Sequence, residues 1–182
     1  MPDRPEILSC STILVGKKAT VDGSVIAASS CDGDIMGVID VMPARRYPAK
    51  YRVYCVIGDG EANEGQVWEA AASAAHHRLD NLTAILDHNQ FQSTGATEKK
   101  LNMFSFAAKF QSFGWATREI DGNDISQILA ALDWAKTVGD TPQAIIAHTL
   151  KGKGMPGYEG TNCHFVKITD DLLRIGQDAL RG

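Results

Sequence analysis

Two short stretches carry the residues suited to binding a metal ion and an anion together. Gly58-Asp59-Gly60 follows an apolar, β-branched run, Arg52–Gly58, and precedes an alanine-rich segment. Asn89, in Asp87-His88-Asn89-Gln90-Phe91, lies thirty residues beyond Asp59 (89 − 59 = 30), just after a second apolar run, Asn81–Asp87. A carboxylate and an amide carbonyl are hard oxygen donors. With a main-chain carbonyl and phosphate oxygens they form an ordinary Mg²⁺ shell. Gly58 and Gly60 let the backbone approach a phosphate closely. A helix beginning near Glu61 would turn its first N–H groups toward that anion. A lone Gly-Asp-Gly is most often a turn, and so is a lone asparagine. Their placement after consecutive strands is what argues for a site, because ligands of open parallel sheets sit outside the carboxyl ends of the strands.

The elements that must position these residues alternate regularly. Arg52–Gly58 and Asn81–Asp87 read as buried strands, with a helix between them over Glu64–Leu79 whose Trp68, Ala71, Ala75 and Leu79 recur at helical spacing. Leu101–Gly114 reads as a helix stopped by its glycine, and Trp115–Ile120 as a third strand. Asp124 is an N-cap, completed three residues on by Gln127 in a capping-box pattern. The helix that follows carries Ile125, Ile128, Leu129 and Leu132 on one face, and Gln143–Thr149 is a fourth strand. The order β-α-β-α-β-α-β over residues 51–149 predicts an α/β fold, a parallel sheet with helices on both faces.

The first fifty residues break that rhythm. Two β-branched runs within Ser11–Ser30, separated by Lys17-Lys18 and Asp22-Gly23, predict an antiparallel β-hairpin. The Pro- and basic-rich stretch Pro43–Lys50 marks a boundary. Residues 1–50 are therefore read as a hairpin segment and 51–182 as the α/β domain. The hairpin is expected to attach loosely, leaving Ile13, Leu14, Val25 and Ile26 in need of apolar cover.

Composition narrows the function. The 182 residues are 44 % hydrophobic and 22 % charged, with net charge −4 and a pI near 5.7. No basic field exists to hold nucleic acid. No apolar run reaches the ~18 residues of a membrane span, and the first residues lack a signal peptide's layout. Cys10, Cys31, Cys55 and Cys163 are scattered, which argues against a zinc site or a disulfide framework. A cytoplasmic setting is the expectation.

The stretch from Tyr51 to Gln90, with its Gly-Asp-Gly and an asparagine thirty residues on, closely resembles the diphosphate-binding domain of transketolase, particularly the split-gene form. The resemblance continues through FQSTGATE, FGWATREIDGNDI and IIAHTLKGKG. It implies a truncated thiamine diphosphate-binding fold, with thiamine diphosphate and Mg²⁺ as cofactors. It implies that Asp59, Asn89 and the Phe91 carbonyl hold the metal. Gly60 would lie against the diphosphate, with Lys151 nearby, and Glu64 near the cofactor and a subunit interface. His164 falls near a substrate histidine of the family, although Asn162-Cys163-His164-Phe165 departs from its usual surroundings. The family's reaction moves a two-carbon ketol unit between sugar phosphates. The family's long region before Gly-Asp-Gly has no counterpart here, nor has its pyrimidine-binding domain. The expectation is an enzyme part completed by a pyrimidine-domain partner chain, in a homo- or hetero-oligomer.

Residues 9–49 resemble instead the start of an N-terminal-nucleophile dipeptidase. Cys10 stands at the nucleophile position, and Asp22-Gly23-Ser24 matches that family's turn, but Ser11 replaces its usual threonine. This implies a chimera. The rival readings are an amidohydrolase remnant using Cys10 and a non-catalytic fragment. Since most of the dipeptidase sandwich has no counterpart, an inert thiol is favoured for Cys10.

Overall fold

The computed structural model describes residues 52–181, together with the backbone of two earlier strands, β1 (Ser11–Val15) and β2 (Val25–Ser30). Then follow β3 (Val53–Gly58), a single 3₁₀ turn (Glu61–Asn63), α1 (Gly65–His76) and β4 (Leu82–His88). A small hairpin, β5 (Phe91–Gln92) and β6 (Gly95–Ala96), leads into the one-turn α2 (Thr97–Lys100) and then α3 (Phe106–Ser112). The chain closes with β7 (Ala116–Asp121), α4 (Ile125–Thr137), β8 (Gln143–His148) and α5 (Asp170–Arg181). Among the described residues, no helix is long and apolar enough to cross a membrane.

The sheet order is β1-β2-β3-β4-β8-β7. β3, β4, β8 and β7 are mutually parallel, as the strand–helix alternation requires. β1 and β2 form the expected antiparallel pair. The loose attachment expected for them does not hold at the level of the backbone: β2 runs parallel to β3, with Val25 opposite Val53 and Ala28 opposite Val56. The unpaired edge of β3 offers a row of N–H and C=O groups, and a strand laid beside it satisfies them.

One face of the sheet packs Ile57, Leu82, Ala84, Leu86, Ala144 and Ile146 against α1 and α3, whose Ala71, Ala74, Phe106 and Phe110 are buried. Alanine lets α1 approach the sheet closely. Trp68 and Trp115 bring polar N–H groups into this layer and donate them to the carbonyls of Ala62 (2.8 Å) and Ala71 (2.9 Å). The other face packs Ile120, Ile145 and Ala147 against α4. Here the predicted apolar stripe is corrected. Ala131 and Ala135 are the fully buried α4 residues, whereas Ile125 (68 % exposed) and Leu129 (57 %) point outward. A cleft of about 180 Å³ lies beside α4, with Asp87 and Thr149 among its lining.

Helix limits also differ from the periodicity reading. Leu101–Ser105 is not helical, and Phe104 takes a positive φ of 55°. Ser105 is the true N-cap of α3, accepting from the Ala108 N–H at 3.0 Å. Asp124 caps α4 as predicted, by accepting from Ser126 N–H (2.8 Å) and Gln127 N–H (3.3 Å). The Gln127 amide oxygen, however, accepts from the Asp121 N–H rather than that of Asp124.

The amino ends of the strands are tied by a polar knot. Gln143 is fully buried. Its amide oxygen accepts from Arg52 Nη2 (2.7 Å) and the Thr83 hydroxyl (2.9 Å), and its nitrogen donates to the Asp80 carbonyl (2.9 Å). Arg52 also donates to the Ala135 carbonyl at the end of α4 (2.8 Å).

Candidate functional site

The opposite, carboxyl ends of the strands meet at Asp59. Strand register sets Gly58 beside Asp87 and Asp87 beside Ala147. One residue past β3, the Asp59 N–H donates to the Asp87 carbonyl (3.2 Å). The Asp59 side chain is 1 % exposed. Its Oδ2 accepts from the Gln90 N–H at 2.6 Å, but the buried Oδ1 has no hydrogen-bond partner. Burial pushes the carboxyl up to about 6. The Gln90 N–H, the neighbouring Thr97 hydroxyl and the Gly60 N–H pull it down, and the charge of Asp87 adds to the rise.

Asn89 stands at the same end of the next strand. Its amide nitrogen donates to Asp87 Oδ2 (3.0 Å), and its carbonyl oxygen accepts from the Phe91 N–H (3.0 Å) in an Asx turn. The other oxygen of Asp87 accepts from the Thr149 hydroxyl, just after β8. Asp87 thus fastens Asn89 to the loop that carries Lys151. Neither Asp87 nor Thr149 was singled out from sequence. The available signal was the position of Asp87 at a strand end opposite the first glycine of Gly-Asp-Gly.

The two glycines face protein groups. The Gly58 N–H donates to the Glu61 carboxylate (2.8 Å), whose own proton affinity is raised by burial. At Gly60 a Cβ would stand 2.6 Å from the Gln92 Cβ, so glycine is required for the β5 strand to lie against this turn. The helix start differs from the expected place near Glu61: a 3₁₀ turn intervenes and α1 begins at Gly65. Glu64 is the exposed N-cap of α1, and its side chain makes no capping bond. Lys151 and His164 both lie in the loop after β8. The Lys151 carbonyl accepts from the Gly160 N–H (2.8 Å), and His164 packs edge-on against Phe165. Hydrogen bonds join Asp59, Asp87, Asn89 and Gln90. Cys10 lies outside the described residues.

A histidine pair at the same edge went unnoticed in the sequence. His88 Nδ1 lies 3.2 Å from His148 Nδ1, and His148 Nε2 lies 2.7 Å from Glu119 Oε2. Burial, then the neighbouring His148, holds His88 below the usual imidazole range. Strand register makes this contact, since His88 pairs with His148 across β4 and β8. Among the described residues no three His, Cys, Asp or Glu side chains are disposed around a metal.

The donor set at Asp59 does fit a hard cation. A buried carboxylate oxygen without a hydrogen donor is costly, and a cation is one of the few partners that relieve it. Asn89 has a second lone pair on an amide oxygen already held in orientation by the Phe91 N–H. A shell of one carboxylate, one amide and one main-chain carbonyl leaves the remaining positions to phosphate oxygens and water, as Mg²⁺ prefers.

Residues 44–174 match the family model described as transketolase, thiamine diphosphate binding domain. The chain is 43 % identical over 111 residues to transketolase-like protein 2 of Mus musculus, covering 61 % of this chain and 18 % of that protein. It is 39 % identical over 123 residues to 6-deoxy-6-sulfo-D-fructose transketolase subunit SqwG of Clostridium sp. (strain MSTE9), covering 67 % of this chain and 45 % of that subunit. The crystal structure of transketolase from Campylobacter jejuni superposes with a TM-score of 0.65 at 29 % identity, over 70 % of this chain and 20 % of that one. The chain therefore spans from about a fifth to under half of the length of these relatives. The comparisons lend no support to a dipeptidase-like join.

Proposed function

The chain belongs to the family of transketolase thiamine diphosphate-binding domains, and from that premise we propose that it anchors the cofactor's diphosphate through a divalent cation, Mg²⁺, held by Asp59, Asn89 and the Phe91 carbonyl. The observation that carries this reading is the Asp59 carboxylate, 1 % exposed, with one oxygen lacking any donor. In water-poor surroundings a diphosphate and this carboxylate repel each other, and a cation between them reverses the sign of the interaction. Gly60 keeps the turn close to β5, Lys151 contributes a partly screened positive charge, and His164 faces substrate. Glu64, exposed at the start of α1, lies toward a subunit interface. When bound, thiamine diphosphate supplies the carbon nucleophile that carries a two-carbon ketol unit between sugar phosphates. The protein supplies binding and orientation.

The chain acts as one part of such an enzyme, in an oligomer with a partner chain that brings the pyrimidine-binding domain. The Clostridium relative is itself named as a subunit, which supports this reading. Titration calorimetry with thiamine diphosphate tests it. Binding is expected with Mg²⁺ and not with EDTA, at a dissociation constant on the order of 1 mM, about 4 kcal/mol. Asp59→Ala should abolish the Mg²⁺-dependent heat, Asn89→Ala should reduce it and Lys151→Ala should reduce it less. Equal heats from wild type and Asp59→Ala would sink the site.

A further inference from the structure

The hairpin after Asn89 gives Asp59 a neighbour to which no motif points. The chain leaves β4, turns at Gln90 with φ 70°, runs out along β5 and returns along β6. The Thr97 N–H closes this excursion by donating to the Gln90 carbonyl (2.9 Å). Both ends of the excursion address one carboxylate. The Gln90 N–H holds Asp59 Oδ2 at 2.6 Å. The Thr97 hydroxyl lies beside the same group. Thr97 is 5 % exposed, yet its Oγ1 makes no hydrogen bond, like Asp59 Oδ1. Burying two such oxygens without partners is costly. A threonine kept only for packing would be better replaced by valine, which has the same shape and no hydroxyl.

We propose that Thr97 is a positioning residue: its hydroxyl turns onto the Asp59 carboxylate when a cation draws on it, and with the Gln90 N–H fixes the plane in which Oδ1 is presented. This rests on the reading of Asp59 as a cation ligand. Groups that orient a metal ligand typically change metal affinity by about 10–100-fold when removed. The effect here should sit at the lower end, because the Gln90 N–H remains.

Mn²⁺ serves as the probe, with thiamine diphosphate present, on the full chain. Bound and unbound Mn²⁺ are separated by electron paramagnetic resonance, and thermal unfolding in EDTA is followed alongside. Thr97→Val and Thr97→Ala should each weaken Mn²⁺ binding about tenfold, whereas Thr97→Ser should stay within about twofold of wild type. Melting in EDTA should not fall for Thr97→Val. Two hydroxyl-less variants are carried so that failure of one to fold still leaves the comparison. Unchanged Mn²⁺ binding by the folded hydroxyl-less variants, or an equal loss in Thr97→Ser, would overturn the positioning role while Asp59→Ala still loses Mn²⁺. Wild-type binding by Asp59→Ala would instead remove the cation reading itself.

Discussion

At Asp59 the proposed cation site and the stability of the fold stand in opposition. An ionised carboxylate that is 1 % exposed, with one oxygen lacking a donor, destabilises the metal-free chain. Asp59→Asn keeps the shape and removes the charge. It should stabilise the chain in EDTA by about 1–2 kcal/mol after discounting for screening by water at the strand ends, raising the melting midpoint, and abolish any further rise on adding Mg²⁺ with thiamine diphosphate. A variant that melts lower than wild type in EDTA would show that the carboxylate stabilises the turn by itself. Cys55 behaves differently, because burial, and then the charge of Glu61, pushes its thiol from 9.0 up to about 11. The native state therefore holds that proton longer than the unfolded chain does. Folding should lose stability as pH rises from about 9 toward 11, and a Cys55→Ala variant should lack that portion of the decline. Peptide mapping after iodoacetamide treatment at pH 8 should find the half-buried Cys163 modified well before Cys55.

Two elements set the site's shape from opposite ends of the sheet. The β5–β6 hairpin lies on Gly60, where a Cβ would meet Gln92 at 2.6 Å. Gly60→Ala must move backbone rather than a flexible tip, so it should disturb Gln90 and Thr97 along with Gln92. Cation-dependent cofactor binding should fall tenfold or more with only a modest loss of stability, about 1–2 kcal/mol. Binding unchanged beside normal melting would mean that the hairpin shifts without consequence. At the amino ends, Gln143 joins β3, β4, β8 and α4 through Arg52, Thr83 and the Asp80 carbonyl. Gln143→Leu strands those buried groups and should cost about 2–4 kcal/mol by denaturant unfolding. A cost below about 1 kcal/mol would show that water reaches the knot.

Among the described residues, large apolar side chains stand exposed on the loop before α3 and on the loop after β8. Phe104 is 82 % exposed, Phe165 64 % and Ile168 66 %. Monomeric proteins rarely leave such residues uncovered together. The chain alone should therefore self-associate as its concentration rises, and Phe104→Ser with Phe165→Ser should reduce that association in sedimentation velocity runs. A monomer at every concentration for the unaltered chain would overturn this expectation.

Much of this architecture was legible in the residues themselves. Four short apolar runs separated by amphipathic segments leave a parallel arrangement as the one that satisfies both the backbone and the apolar faces, and the four strands they form are mutually parallel. Asp124 before Ser126 and Gln127 is a local hydrogen-bonding pattern, and it forms locally. Periodicity failed where several apolar residues could face either way: on α4 the small Ala131 and Ala135 take the sheet side, because close approach favours small volume over hydrophobicity. It also ran through Leu101–Ser105, where the serine cap competes with an unbroken apolar spacing. The Gly-Asp-Gly and Asn89 pair stood out because strand ends are marked by composition. The contacts around them did not, since Asp87 reaches Thr149 and Thr97 returns to Gln90 only after the chain has crossed the sheet or doubled back. Sequence determines which residues carry hard oxygen donors at the strand ends. Strand register and one six-residue hairpin decide which groups hold them in place, because those neighbours are close in space and far apart in the chain.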